Sequence, residues 1–342
     1  MRILALSTWW PEPADNGSRM RIMQLLRQLA ARHELHLIAF TQDPPAETRR
    51  DELSALCASV AAIERPRGQI RFVDRLASLA VSEPASVRVT WSREMAQAVA
   101  AAGARLRPDV VVAFQIDMAP YARLLEGAPR ILEELEVSFL LEHYRQHRDP
   151  RRRLRYLLTA LQHRRYVSSL LRAFAAVTVV SRHEAELVGR LARGRSPEVA
   201  IIPNGADVEG CRAYRYDPEP DTMIYPGALS YDANLDAARH FLGAIMPLIL
   251  RERPAARLRI TGRSTPEQRA ALPPSPGVEH TGYVDDVRAL IARSAVEVVP
   301  LRQGGGTRLK ILEALALGTP VVSTAKGAEG LDLVGGRDLV IA

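Results

Sequence analysis

Residues 2–41 lay out a unit of defined chain geometry. The run "RILALST" (2–8) is apolar and ends in small residues. The loop "WWPEPADNGSR" follows, then "RMRIMQLLRQLAARH" (19–33), in which Met20, Met23, Leu26 and Ala30 recur at helical spacing. "ELHLIAFT" (34–41) is the next strand. Strand, glycine-containing loop, helix, strand is a βαβ unit, and it implies a parallel sheet.

The same grammar continues. Helices are predicted over 47–60 and 92–107, and strands over 108–115, 130–135 and 176–181. A second series opens after "VAIIPNGADVE" (199–209). It has strands at 222–230, 256–263, 278–284, 296–301, 319–324 and 338–342. Helices are predicted at 234–254 and at 285–294, the latter with Asp285 or Asp286 as N-cap. The polar, proline-containing stretch 205–221 reads as a linker. The fold class is therefore α/β, with two consecutive doubly wound domains, 1–204 and 205–342. In open α/β sheets ligands bind outside the carboxyl ends of the strands, so the cleft between the facing strand ends of the two halves is the expected site.

Composition narrows the partners. The chain has 342 residues, 47% hydrophobic and 25% charged, which is globular composition long enough for two domains. Cys57 and Cys211 lie far apart without metal-ligand neighbours, and read as reduced residues in a reducing compartment. The N-terminus lacks the apolar core of a signal peptide, and no apolar stretch reaches the length of a membrane span, so a cytoplasmic location is expected. The net charge is +7. Arginines cluster in "HRDPRRRLRYLLTALQHRRY" (147–166), interleaved with Leu154, Leu157, Leu158 and Leu161. Such a stretch is a solvated helix face or a contact with an anionic membrane surface. Nucleic acid is not an expected partner, because no binding module is present and few aromatics are interleaved for stacking.

"GGGTRLKILEALALGTPVV" (304–322) concentrates the chemistry. Thr307 is a suitable N-cap, and Gly318 with Pro320 beyond it is a suitable stop, so a helix is predicted over 308–317. It follows a strand, which places the glycines in a strand-to-helix turn where a ligand can approach the backbone. Arg308 and Lys310 oppose the helix dipole there, and a bound phosphate reverses that penalty. Lys310 and Glu313 are three apart and share one side of the helix. Cations for a diphosphate, and one turn on a carboxylate for a vicinal diol, together describe a nucleotide site. No metal cluster is evident. The absence of G-x-G-x-x-G after the first strand disfavours a nicotinamide dehydrogenase.

Nearly the whole chain resembles glycosyltransferases of the GT-B architecture, in particular the large retaining group often called family 4. "VVPLRQGGGTRLKILEALALGTPVVST" is similar to that group's donor segment. "VTVVSRHEAELV" (177–188) with "IIPNGAD" (201–207) resembles its interdomain motifs, "IYPGALSYDANLDAARHFLGAIMPLILRERPAARLRITG" its first donor-domain βαβ unit, and "PEPADNGSRMRIMQLLRQLA" its acceptor-facing loop and helix. The resemblance implies two Rossmann-like domains. It further implies a nucleotide-diphosphate sugar as co-substrate, no required metal, and transfer with retention to a polysaccharide or glycolipid acceptor. Glu313 then matches the ribose-binding glutamate, and Gly305, Gly306 and Thr307 the turn around the nucleotide sugar. Arg308 and Lys310 sit where cations neutralise the leaving diphosphate. Gly227 and Gly262 match the strand-end glycines around the donor, with Arg263 beside them. Asn16, Gly17 and Arg19 match the loop near the transferred sugar.

The chain also departs from the group's pattern. Gly305 stands where many members carry a first glutamate that faces the sugar. "GALSYDAN" lacks the usual Arg and Lys. Gln115, with Asp117 two residues on, replaces a histidine; it can hydrogen-bond a sugar or acceptor but cannot serve as a base. His33, His36 and His240 read as structural or surface residues, and His183 as a candidate for the cleft. Trp9 and Trp10 face an acceptor or pack the loop. The final "DLVIA" is a strand where proteins of this fold continue with helices, so the second domain is expected to lack them. Two rival readings remain at this stage: a sugar-nucleotide epimerase on the same fold, and a non-catalytic nucleotide-sugar-binding protein.

Overall fold

The computed structural model describes residues 1–14, 16–42, 51–66, 84–133, 137, 149–192, 197–304 and 308–342. The chain divides into two compact units, Met1–Pro203 and Asn204–Ala342.

The first unit holds strands β1 (Arg2–Ser7), β2 (Glu34–Thr41), β3 (Ser59–Glu64), β4 (Val110–Phe114), β5 (Arg130–Glu133), β6 (Ala176–Val179) and β7 (Glu198–Ile201). Its main helices are α1 (Gly17–Ala30), α2 (Arg93–Leu106), α3 (Pro150–Leu171) and α4 (Arg182–Leu191). The strands run parallel in the order β3-β2-β1-β4-β5-β6-β7. A parallel strand covered on both faces must be apolar on both, and β1 is. Ile3 and Ala5 pack with Ile22, Met23 and Leu26 of α1. Leu4 and Leu6 pack with Met95 and Val99 of α2 and with Leu170 and Leu171 of α3. Each such fully buried aliphatic side chain stabilises the fold by roughly 1.5–3 kcal/mol relative to exposure. Asn16 caps α1, its Oδ1 accepting from the Arg19 N–H at 3.1 Å.

The second unit holds β8 (Glu219–Pro226), β9 (Arg257–Thr261), β10 (Val278–Gly282), β11 (Ser294–Val299), β12 (Val321–Ser323) and β13 (Val340–Ile341). The order is β10-β9-β8-β11-β12-β13, again parallel. Its helices include α5 (Asp232–His240), α6 (Arg288–Ala292) and α7 (Leu309–Ala316). One contiguous core joins Ile224, Tyr225, Leu258 and Ile260 to Ala237, Phe241, Ile311 and Ala314.

Four local expectations change. The helix expected over 47–60 covers Asp51–Leu56 among the described residues, and Ser59–Glu64 is strand β3. Its β-branched Val60 and Ile63 pair with β2, and that ladder overrides the local helical pattern. The expected linker 205–221 contains a one-turn helix, Val208–Cys211, and the first residues of β8, because Cys211 is buried in the second core. The helix expected over 285–294 begins at Arg288, with Asp286 Oδ1 accepting from the Arg288 N–H at 3.0 Å. The helix expected over 234–254 is interrupted by a π-turn at Phe241–Ile245, just before Pro247, which has no N–H to donate.

Candidate functional site

In the second sheet the strand order reverses between β8 and β11, and the crevice outside that switch point is where a doubly wound fold binds ligands. Three loops meet there. After β8 comes Gly227. After β9 comes Gly262, at φ 101°; a Cβ there would lie 2.7 Å from the Ala228 nitrogen, so only glycine lets these two loops touch. After β11 comes Gly304, also at φ 101°, whose Cβ position would lie 3.1 Å from the Tyr231 hydroxyl.

Helix α7 rises from the third loop. It starts at Leu309 rather than Arg308, which takes the N-cap position without a side-chain cap. Arg308 is buried, and its Nη2 donates to the Gly304 carbonyl at 2.7 Å. The guanidinium therefore closes the turn that carries Lys310. Lys310 reaches across the switch point. Its Nζ lies 4.5 Å from the centre of the Tyr225 ring, and 2.9 Å from where a Cβ on Gly227 would stand. The stem of the side chain is partly exposed, but Nζ is covered and makes no hydrogen bond among the described residues. Burial pulls its pKa down to about 8, with Glu297 opposing that fall and Arg308 adding to it. Tyr225 is itself fixed, its hydroxyl 3.1 Å from Asn234 Oδ1, while Asn234 Nδ2 donates to the Ala228 carbonyl at 3.0 Å.

Glu313 lies one turn along α7. Burial raises its pKa; Arg288 opposes this and Asp286 adds to it. Arg288 is clamped by Asp286, Nε to Oδ1 at 2.9 Å and Nη2 to Oδ2 at 3.0 Å, and the Tyr214 hydroxyl also donates to Asp286. The cation opposite Glu313 is thus already engaged, which leaves carboxylate lone pairs on Glu313 for a ligand. Arg263, beyond β9, stacks over the Tyr283 ring at 4.9 Å. The structure therefore brings Gly227, Gly262, Arg308 and Lys310 together around one crevice. Gly305, Gly306 and Thr307 lie outside the described residues.

In the first unit the switch point falls between β1 and β4. Gln115 follows β4 at φ 68°, a left-handed backbone that stores of order 1–3 kcal/mol in a non-glycine residue. Two residues on, Asp117 Oδ2 lies 3.4 Å from Arg65 Nη2, and Arg65 stacks over the Trp9 ring at 4.8 Å. Burial raises the Asp117 pKa and Arg65 opposes this. Trp10, in contrast, is core. Asn16, Gly17 and Arg19 form the start of α1. His183 is exposed on α4, and His36 is buried with Nδ1 2.7 Å from Ser59 Oγ.

Sequence reasoning missed Glu297, Tyr225, Asn234 and the Arg288–Asp286 clamp. For Glu297 a signal existed. A single acid inside "VEVVPL" breaks the apolar run that a buried parallel strand demands.

Two parallel doubly wound sheets in one chain, the second with a polar crevice at its switch point, define the GT-B architecture. The chain belongs to the glycosyltransferases: residues 16–205 match the family described as Glycosyl transferase 4-like domain, and residues 220–342 match Glycosyl transferases group 1. It is 21% identical over 359 residues to an uncharacterized 44.6 kDa protein in the cps region of Klebsiella pneumoniae, covering 100% of this chain and 87% of that one. It is similar in fold to Anabaena HepE solved with UDP and glucose, with a TM-score of 0.63 and 14% identity, covering 100% of this chain and 85% of the other. It is likewise similar in fold to the lipopolysaccharide outer core galactosyltransferase WaaB, with a TM-score of 0.53 and 12% identity, covering 100% and 84%. Among the described residues no helix is long and apolar enough to cross a membrane.

Proposed function

We propose that this glycosyltransferase moves a sugar from a nucleoside-diphosphate sugar to a polysaccharide or glycolipid acceptor, with retention. The observation that carries the donor is Lys310, whose ammonium is covered and free of hydrogen bonds at the switch point, one turn before Glu313. In this reading Lys310 stabilises the leaving diphosphate and Glu313 accepts from the ribose diol. Arg308 holds the turn, and the leaving phosphate takes the acceptor proton on the same face, so Gln115 need not act as a base. UDP is the first nucleotide to test, because the Anabaena neighbour was solved with it. A glycan or glycolipid acceptor accords with the neighbour named for the lipopolysaccharide outer core.

Thermal unfolding with a panel of nucleotides and nucleotide sugars tests the donor. A ligand at a hundredfold its Kd adds ~2.7 kcal/mol and raises the midpoint by several degrees. If no nucleoside diphosphate or its sugar moves the midpoint, the donor assignment fails.

The same reading seats the enzyme on an anionic membrane surface through 147–166. Leu154, Leu158 and Leu161 are exposed on α3 at one-turn spacing, and Arg164 and Arg165 are exposed beside them. Sedimentation with phosphatidylglycerol vesicles, but not with phosphatidylcholine vesicles, is the expected result. Equal recovery with both removes this part.

A further inference from the structure

Glu297 sits in the middle of β11, level with Ile224 of β8 and Val321 of β12. It has no exposed surface, and neither carboxylate oxygen accepts a hydrogen bond. Its position is three residues short of Gly227 along the neighbouring strand, so it lies deeper in the sheet than the loop that Lys310 touches. Burial raises its pKa well above the ordinary carboxylate value; of the groups on α7, Lys310 opposes that rise and Glu313 adds to it, while Tyr225 of β8 feels it in turn and Arg308 acts on Lys310.

A buried acid without hydrogen bonds, near a buried ammonium without hydrogen bonds, is an unusual thing for a fold to retain. A pair kept for stability closes on itself. This one stays open, with the cation turned over Tyr225 to the edge where three loops meet. We propose that Glu297 is the positioning residue for Lys310: an internal counter-charge that keeps the ammonium charged in a covered site and, holding it by field rather than by a hydrogen bond, leaves its donors for a diphosphate. The proposal rests on the nucleoside-diphosphate reading of the crevice. Burial draws the proton off such a lysine, and Glu297, once ionised, resists that loss.

The experiment uses the full chain and two measurements. The first is UDP binding by calorimetry from pH 7 to pH 10, for wild type, Glu297→Gln, Glu297→Asp and Lys310→Met. Wild type should lose affinity as pH rises through Lys310's pKa of about 8. Glu297→Gln should move that decline to lower pH by about one unit, which weakens binding roughly threefold at pH 7.5 and roughly tenfold at pH 9. Glu297→Asp, which keeps the charge, should restore the wild-type profile, and Lys310→Met should flatten it. An unmoved profile in Glu297→Gln overturns the proposal.

The second measurement needs no nucleotide. A double-mutant cycle in unfolding free energy, Glu297→Gln with Lys310→Met, should show coupling at pH 7 that vanishes above pH 9. No coupling overturns the counter-charge whether or not UDP binds. Coupling without any UDP binding keeps the counter-charge, and it is then the donor reading that fails.

Discussion

Each unit buries a glutamate on which a cation acts, Glu133 with Arg21 and Glu297 with Lys310, and the two pairs are built differently. In the first unit Glu133 Oε1 accepts from Arg21 Nε at 2.9 Å, Arg21 Nη2 at 2.5 Å and Thr178 Oγ1 at 3.3 Å. That contact ties α1 to β5 and β6, and both ionic side chains are almost fully covered. In the second unit Glu297 has no exposed surface, Lys310 Nζ is covered at the end of a partly exposed stem, and the two exchange no hydrogen bond. Desolvation is unfavourable for both pairs. The first pair offsets it through Glu133 Oε1, with Oε2 unpartnered among the described residues, whereas the second leaves its cation at the switch point with its donors unused. The closed pair holds a fold together, and the open pair, in the proposed reading, is kept for a diphosphate.

The largest expected effects come from cutting the cation out of each pair. Arg21→Leu strands Glu133 and should destabilise the first unit by ~3–5 kcal/mol in denaturant unfolding. Lys310→Met removes a desolvated charge and should be no less stable than wild type in denaturant at pH 7. Its transfer from a UDP-sugar should nevertheless fall about 10²–10³-fold in kcat, the loss seen when one preorganised charge-stabilising donor is removed. Similar stability losses in the two variants would erase the distinction between the pairs.

Glu313 comes next. Glu313→Ala removes a charged acceptor and should weaken UDP binding by ~1.5–3 kcal/mol. The more informative comparison is with 2′-deoxy-UDP. Wild type should favour UDP over the deoxy form, and the variant should not. A preference that survives Glu313→Ala would remove the ribose role.

Stability should respond to pH with opposite slopes at Glu133 and at Lys310. Burial raises the folded-state pKa of Glu133 above its ordinary value of 4.5, with Arg21 and Thr178 opposing. Its contribution is therefore present below that value and is lost as pH rises through the raised one. Lys310 is lowered from 10.5 to about 8, so its buried charge is an encumbrance below pH 8, relieved as pH climbs towards 10.5. Glu133→Gln should flatten the acidic decline, and Lys310→Met should abolish the alkaline gain. Unfolding curves of wild type and variants that stay parallel from pH 4 to pH 10 would contradict both signs.

Much of this was legible in the residues. The two doubly wound sheets follow from apolar strands alternating with helical periodicity, as in "RILALST" through "ELHLIAFT", and strand β2 falls on the expected residues. Lys310 and Glu313 stood out because a cation at a helix start breaks a local electrostatic rule. Strand β3 was hidden because its six residues are decided by a ladder to β2, a long-range fact. The Tyr225 platform under Lys310 was invisible for the same reason, since it joins residues 85 positions apart (310 − 225) that meet only when β8 and β11 become neighbours. Arg308 was read as a diphosphate clamp because of its charge, and only the folded turn shows it donating back to Gly304.

The smallest expected effect is at that platform, and it separates two kinds of cation–π contact. In the first unit Arg65 stacks on Trp9 but also reaches Asp117 at 3.4 Å, so the guanidinium keeps a partner without the ring. Among the described residues Lys310 Nζ makes no hydrogen bond, and the Tyr225 ring is the aromatic contact beneath it. A ring–cation contact contributes roughly 0.5–2 kcal/mol, towards the upper end where water is excluded. Tyr225→Phe keeps the ring, loses only the hydroxyl held by Asn234, and should bind UDP with wild-type affinity. Tyr225→Leu keeps apolar volume without a π face, and should weaken UDP binding by about two- to tenfold, while Trp9→Leu leaves UDP binding unchanged. If Phe and Leu at position 225 behave alike in calorimetry, the ring is mere packing, and the lysine is held at the switch point by the field of Glu297 and by the shape of the Gly227 loop.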